Sequence, residues 1–165
     1  MLQVSKRTNK LLTDGLEEGY AGVKKPEAIQ RADFVGKAND YISPEGGHYH
    51  DEWFADDNGG GQELAEVGEE RSTRLYAGGV IPTEELEKLG LTTKDVIARL
   101  ITSVKELKGK TRLNEPYSLE LPNGWGYKYE ILKASEEVPL TIGYESVSFN
   151  GREVFAHGHM ISPVK

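Results

Sequence analysis

The chain has 165 residues, of which 37% are apolar and 28% are charged, and its formal net charge is −7. This composition suits one globular domain and argues against a disordered chain. The acidic balance argues against nucleic-acid binding, because affinity for a phosphate backbone depends on Lys and Arg. There is no cysteine, which excludes disulfides, thiol nucleophiles and cysteine-ligated zinc. Any metal must therefore be bound by His, Asp and Glu.

Two further features bear on location and partners. No apolar run approaches the ~18 residues that a membrane helix needs. The N-terminal segment, where Lys6, Arg7 and Lys10 interrupt polar residues, lacks the apolar stretch of a signal peptide. We therefore expect a cytoplasmic protein with no membrane or nucleic-acid partner, present as a monomer or a homodimer.

The first half of the chain predicts one helix and about four strands. Apolar residues at helical spacing, from Leu11 to Tyr20, predict a helix over about 5–20. The glycine-rich acidic segment 56–61 predicts a flexible loop. Strand patterns are found at 32–38, 48–54, 62–67 and 72–80.

The second half repeats this order. An apolar stripe from Val96 to Leu107 predicts a helix over 93–108, with Thr92 as its N-cap. A shorter helix precedes it, beginning near Pro82. Asn150-Gly151 is the preferred dipeptide of a two-residue hairpin. Strand patterns are found at 117–121, 127–133, 140–149 and 152–161.

Similar short runs occur in both halves, which indicates an internal duplication. Gly61-Gln62-Glu63 and Gly143-Tyr144-Glu145 are one such pair, and each follows a predicted helix. We expect an α+β fold in which tandem helix-plus-four-strand units form an antiparallel sheet with helices packed on one face. The two repeats, about 1–81 and 82–165, would form a single domain because each half alone would have a thin core.

All four histidines occur in His-x-His pairs. Residues i and i+2 of a strand point to the same face, so His48 with His50, and His157 with His159, could each present two imidazoles to one ion. Glu52 extends the first pair to His-x-His-x-Glu. Two histidines and a carboxylate suit Zn, Mn or Fe. The structural alternative is an exposed first pair, with His157 and His159 stacked beside Tyr144 and Ile142 across the last hairpin.

Two glutamates occupy matching positions in the repeats and are candidate catalytic residues. Glu63 and Glu145 each share a strand face with apolar neighbours, and burial there would raise the pKa of a carboxyl group. Such a pair could act as general acid and base. The alternative is that each glutamate accepts backbone N–H hydrogen bonds from a bulge near its glycine, or forms an ion pair with an arginine such as Arg74 or Arg152.

Aromatic residues are concentrated in the predicted strands. On an open sheet face they would suit an organic ligand, although core packing is their commoner use. The candidate ligand-binding residues are Trp53, Tyr76, Tyr127, Tyr129, Tyr144 and Phe155.

Several short motifs resemble an uncharacterised domain family of bacteria and archaea. They are Tyr20-Ala21-Gly22, the strand from Tyr49 to Phe54, Gly61-Gln62-Glu63 and the closing run from Phe149 to Phe155. Some members of that family lie C-terminal to helix-turn-helix domains. The resemblance covers nearly the whole chain and implies a shared fold, but no particular chemistry.

Three functions follow from these features. The first is a soluble binding domain for a small molecule or a protein partner. The second is a metal-dependent enzyme that uses the His-x-His-x-Glu motif. The third is a regulatory interaction module, suggested only by the resemblance.

Overall fold

The computed structural model describes residues 4–22, 24–55 and 57–165. Its helices are α1 (Lys6–Gly15), which continues as a π-helical turn (Leu16–Tyr20), α2 (Thr83–Lys88) and α3 (Thr93–Glu106). Its strands are β1 (Glu27–Arg31), β2 (Phe34–Ile42), β3 (His48–Ala55), β4 (Asn58–Val67), β5 (Glu70–Val80), β6 (Tyr117–Glu120), β7 (Trp125–Ser135), β8 (Leu140–Phe149) and β9 (Arg152–Val164). Within these ranges, no helix is long and apolar enough to cross a membrane.

The nine strands form one antiparallel sheet in the order β1-β2-β3-β4-β5-β9-β8-β7-β6. Strands that are consecutive in the chain pair with each other, except that β5 pairs with β9 and joins the two halves. The structure therefore has the expected α+β architecture with an antiparallel sheet.

The long helices pack on the same face of the sheet. Leu12 of α1 lies in a cluster with Tyr49 of β3, and Leu100 of α3 lies in a cluster with Tyr127 of β7. Cross-strand partners share a face, and the pairing register places both tyrosines on one side. We call this side the helix-facing side and the other the open side.

The first half contains five strands, where about four were expected. Most of the predicted strand 32–38 is confirmed as part of β2, but residues 32–33 form the turn of a hairpin in which β2 pairs with an additional strand, β1. Ala32 has a φ of 51°, a left-handed conformation that is uncommon for alanine. The turn therefore lacks the glycine or asparagine that would have indicated it in the sequence.

The predicted flexible loop at 56–61 is also wrong for most of its length. Asn58 to Gly61 belong to β4 and pair with β5, and the three glycines also pair with β3, whereas Asp56 lies outside the described residues. A side chain at Gly60 would meet the carbonyl oxygen of Tyr76, and one at Gly61 would meet that of Glu52. These glycines permit close approach of the neighbouring strands.

Two features predicted from local sequence are confirmed. Thr92 and Asp95 form a capping box at the start of α3. The turn between β8 and β9 has positive φ at Asn150 (49°) and Gly151 (79°), as a hairpin of this type requires.

Candidate metal centre

The helix-facing side carries an unusual number of buried ionisable side chains near its middle. Two carboxylates are each paired with a guanidinium, so the charges in this region largely compensate. The buried ionisable residues are Asp51, Glu63, Arg74, Arg112, Glu145 and His159.

The first ion pair joins β4 and β5, where Glu63 lies directly opposite Arg74. Arg74 Nη2 donates to Glu63 Oε1 at 2.6 Å and its Nε donates to the other oxygen, while Tyr49 Oη donates to Oε1 at 2.7 Å. Burial alone would raise the pKa of Glu63. The charge and hydrogen bonds of Arg74 outweigh burial and lower the pKa. Glu63 is therefore an ion-paired carboxylate, as the structural alternative expected.

The second pair involves a residue that the sequence did not indicate. Arg112 follows α3 in a left-handed conformation and donates from Nε to Glu145 Oε1 at 2.8 Å. Tyr127 Oη donates to the same oxygen at 2.7 Å. Arg74 Nη1 donates to the Arg112 carbonyl at 3.1 Å and so fixes this segment. Arg152 pairs instead with Glu85.

The pKa of Glu145 is also lowered, against the effect of burial, chiefly by the positive charge of Arg112. The expectation of a raised pKa therefore fails for both glutamates. Each has a guanidinium within hydrogen-bonding distance, which stabilises the ionised form more than burial destabilises it.

A β-bulge brings two histidines to Glu145. Phe149 pairs with Arg152 next to the turn, but Val147 pairs with Phe155, so one residue of β9, Val154, is unpaired. This shift places His157 opposite Glu145 on the same face.

The bulge overturns the expected stacking of His157 and His159 beside Tyr144 and Ile142. A regular hairpin would have put those histidines on the open side. Instead, His159 pairs with Gly143 and faces the helices.

The second oxygen of Glu145 faces both imidazoles. Glu145 Oε2 lies 3.4 Å from His159 Nε2 and 3.9 Å from His157 Nδ1. One donor atom from each of the three residues lies within 4.8 Å of the other two. Glu145 and His159 are fully buried, and His157 is 15% exposed.

Both imidazoles are held in the neutral form that binds metals. Burial, reinforced by the positive charge of Arg112, lowers the pKa of His157 to about 3. Burial likewise lowers the pKa of His159, although Glu145 opposes the shift. Neutral imidazole is the ligating species, so these histidines need not lose a proton at neutral pH.

Tyr76 lies beside the two imidazoles and is hydrogen-bonded to another buried acid. Its ring centroid is 5.5 Å from that of His157 and 6.1 Å from that of His159. Its hydroxyl donates to Asp51 Oδ1 at 2.9 Å. Burial and the nearby charge of Glu63 raise the pKa of Asp51 to about 8. The acid with a raised pKa is thus Asp51, not either glutamate.

The other histidine pair lies on the open side. His48 and His50 are on β3, and β4 and β5 separate that strand from β9. The two pairs therefore do not meet. His48 and His50 contact Asp40, and His50 also contacts Glu52.

The six candidate ligand-binding aromatics do not line one surface. Three of them, Tyr127, Tyr129 and Phe155, are buried in the core with α3. Tyr144 is on the open side and donates to Glu153 at 2.7 Å. Tyr76 borders the buried histidines, and Trp53 is partly exposed.

Three residues at these sites were missed in the sequence. Asp51 is two residues after Tyr49 on β3 and so shares its face, which means that strand periodicity could have placed it on the buried side. Asp40 depends on the register of β2 against β3. Arg112 comes from an irregular segment, for which the sequence offers no signal.

No protein-family model, curated protein or solved structure matches this chain. The resemblance to an uncharacterised domain family stays a prediction.

Proposed function

We propose that the protein binds one divalent transition-metal ion through Glu145, His157 and His159, and that this ion is its functional centre. The observation that carries the proposal is the convergence of two imidazoles on one carboxylate oxygen in the protein interior. Two histidines and a carboxylate suit zinc, manganese or iron(II).

The distances favour ligand spacing over hydrogen bonding. Ligands at about 2.1 Å from a tetrahedral ion lie about 3.4 Å from one another. The separations from Glu145 Oε2 are 3.4 Å to His159 and 3.9 Å to His157. A good N–H···O hydrogen bond is shorter, at about 2.7–3.2 Å. A small movement of His157 would complete the ligand set.

Neighbouring residues position the carboxylate for this role. Arg112 and Tyr127 both donate to Glu145 Oε1, which leaves Oε2 directed at the imidazoles. Outer contacts of this kind orient the ligands of metal sites. Three protein ligands leave coordination positions for water or a substrate, which is the arrangement of catalytic sites. The proposed class is therefore a metal-dependent enzyme.

A specific observation supports a second candidate, a binding site for a small organic anion. Arg112 Nη2 is buried and has no hydrogen-bond partner among the described residues. An unpaired guanidinium nitrogen is costly in the interior, and a ligand carboxylate would satisfy it. Such a ligand would contact the same part of the network, close to Glu145.

We also propose that the two helix-plus-strand units arose by duplication. The order β2-β3-β4-β5 on one side of the sheet mirrors β6-β7-β8-β9 on the other. Glu63 lies opposite Arg74, and Glu145 lies opposite His157. On this proposal, the position opposite the glutamate is Arg74 in the first half, where it forms a structural ion pair, and His157 in the second half, where it is a metal ligand.

The metal proposal is tested by metal analysis of protein purified without a histidine tag or chelator. We expect about one buried equivalent of zinc, manganese or iron, as for a single three-ligand site. Glu145→Gln and His157→Asn should both lose it, while His48→Ala should keep it. Circular dichroism would confirm that the variants fold.

The metal proposal is wrong if folded wild-type protein contains no buried metal and takes up none on incubation with these ions. Native mass spectrometry of the same sample tests the second candidate function, the binding of a small organic anion. A bound organic anion that is retained in His157→Asn and lost in Arg112→Met would favour it.

A further inference from the structure

We propose that Asp40, His48 and His50 form a second metal site, of the zinc class, on the open side of the sheet. The site lies on two adjacent strands. Asp40 of β2 is directly opposite His50 of β3, and His48 is two residues before His50 on the same face. It is separate from the buried centre, which lies on β8 and β9 and faces the helices.

One carboxylate oxygen lies within hydrogen-bonding distance of both imidazoles. Asp40 Oδ1 lies 2.6 Å from His48 Nε2 and 2.9 Å from His50 Nδ1. All three atoms belong to one compact group. A divalent ion that displaces the bridging protons would meet two nitrogens and one oxygen, which is a ligand set that zinc accepts.

A second, independent contact orients His50 for this role. Glu52 Oε1 lies 3.2 Å from His50 Nε2, and Arg31 in turn holds Glu52. With Nε2 directed at a carboxylate, Nδ1 is the nitrogen that faces Asp40. A carboxylate that fixes the far side of a ligating imidazole is the usual outer contact of a metal-bound histidine. Glu52 is thus a positioning residue, not the ligand that the His-x-His-x-Glu motif suggested.

The site is accessible from solution. The side chains of His48, Asp40 and His50 are 52%, 43% and 28% exposed. A groove of about 420 Å³ borders the two histidines and is lined by Leu64 and Val164. An ion here would keep positions open to water or to a ligand in the groove. It should exchange readily, unlike an ion at the buried centre.

Calorimetric titration of Zn²⁺ into chelator-treated, full-length protein tests this site. We expect one exchangeable equivalent that is lost in Asp40→Asn and in His48→Ala. Glu52→Gln should weaken zinc binding about tenfold, as the loss of an outer carboxylate does elsewhere. Asp33→Asn, which changes an exposed acid in the β1–β2 turn, is the matched control and should bind as the wild type does.

Failure of this second site can be distinguished from failure of the buried metal site. His157→Asn should remove only the buried equivalent and leave the exchangeable one. The proposal is overturned if Asp40→Asn and His48→Ala bind zinc as tightly as the wild type, or if the wild type binds none at millimolar zinc. Because these side chains are partly exposed, the variants should fold, and circular dichroism checks this.

Discussion

Asp51 is a buried acid that keeps its proton at neutral pH, and this makes stability depend on pH in an unusual direction. Burial and the charge of Glu63 raise its folded-state pKa to about 8, whereas the pKa of an unfolded aspartate is about 3.9. Between these two pKa values the folded state holds a proton that the unfolded state has lost. The contribution of Asp51 to the free energy of unfolding is therefore complete below about pH 4 and is lost as the pH rises towards 8. The limiting slope for one proton is about 1.4 kcal/mol per pH unit.

We predict that Asp51→Asn removes this loss of stability between pH 4 and 8. The amide is neutral at every pH and its oxygen can still accept from Tyr76. Urea unfolding of wild type and variant at several pH values measures the difference. His157 and His159 contribute in the opposite direction, because their lowered pKa values favour stability at higher pH. This contribution is present in both proteins, so subtracting one free energy of unfolding from the other removes it. Identical slopes in the two proteins would show that Asp51 is ionised when folded.

The Glu63–Arg74 pair predicts a large asymmetry between single and double substitution. Arg74→Met leaves a fully buried carboxylate without its partner and should cost about 3–5 kcal/mol in the free energy of unfolding. Adding Glu63→Leu should recover much of that loss, because both charges are then replaced by apolar groups. Chemical denaturation of Arg74→Met, Glu63→Leu and the double variant, each compared with the wild type, completes the cycle.

The same two strands offer a matched control on the open side. Arg71 and Glu66 also form a cross-strand ion pair, but their side chains are 56% and 50% exposed. Arg71→Met should change stability by less than about 1 kcal/mol. Equal costs for Arg71→Met and Arg74→Met would mean that burial is not what makes the inner pair important.

At the scale of elements, the start of β4 depends on glycine for close strand packing. Gly60 has no left-handed φ, but a β-carbon there would meet the carbonyl oxygen of Tyr76. We predict that Gly60→Ala destabilises the protein by about 1–3 kcal/mol through overpacking. Thermal and urea unfolding measure the change.

Gly158 of β9 is the matched control for that substitution. It too lies within a strand, and nothing lies within 4 Å of a β-carbon added there. Gly158→Ala should be neutral, or should stabilise by up to about 1 kcal/mol because alanine restricts the unfolded chain. If Gly60→Ala were equally harmless, the strands around β4 would have room that the structure does not show.

Across the whole molecule, the features that the sequence predicted well are those determined by neighbouring residues. The capping box of Thr92 and Asp95 and the hairpin turn at Asn150 and Gly151 need only local geometry. The β1–β2 turn was not predicted, because Ala32 adopts a left-handed conformation that tertiary packing must support.

The candidate centre was predictable only in part, for the same reason. The His-x-His spacing correctly placed His157 and His159 on one face of a strand. Their meeting with Glu145 depends on the bulge at Val154, which changes the face, and on Arg112, which arrives from another part of the chain. Neither a bulge nor a contact of that kind leaves a pattern in the sequence.

The contacts that join the two halves predict that the chain unfolds as one unit. β5 and β9 pair over ten residues on each strand, and Arg74 of the first half donates to the carbonyl of Arg112 in the second. A half that unfolded alone would expose this strand edge and leave buried charges without partners. The cost of exposing that interface couples the halves.

Each half contains one tryptophan, Trp53 on β3 and Trp125 on β7, so the coupling can be measured directly. Trp53→Phe leaves only Trp125 to report on the second half, and Trp125→Phe leaves only Trp53. In each variant, the fluorescence transition in urea should coincide with the transition of the far-ultraviolet circular dichroism, which reports on the whole chain. A fluorescence midpoint that departs from the dichroism midpoint in either variant would show that the halves unfold separately. Comparison within one variant is needed because the two substitutions can differ in their effect on stability.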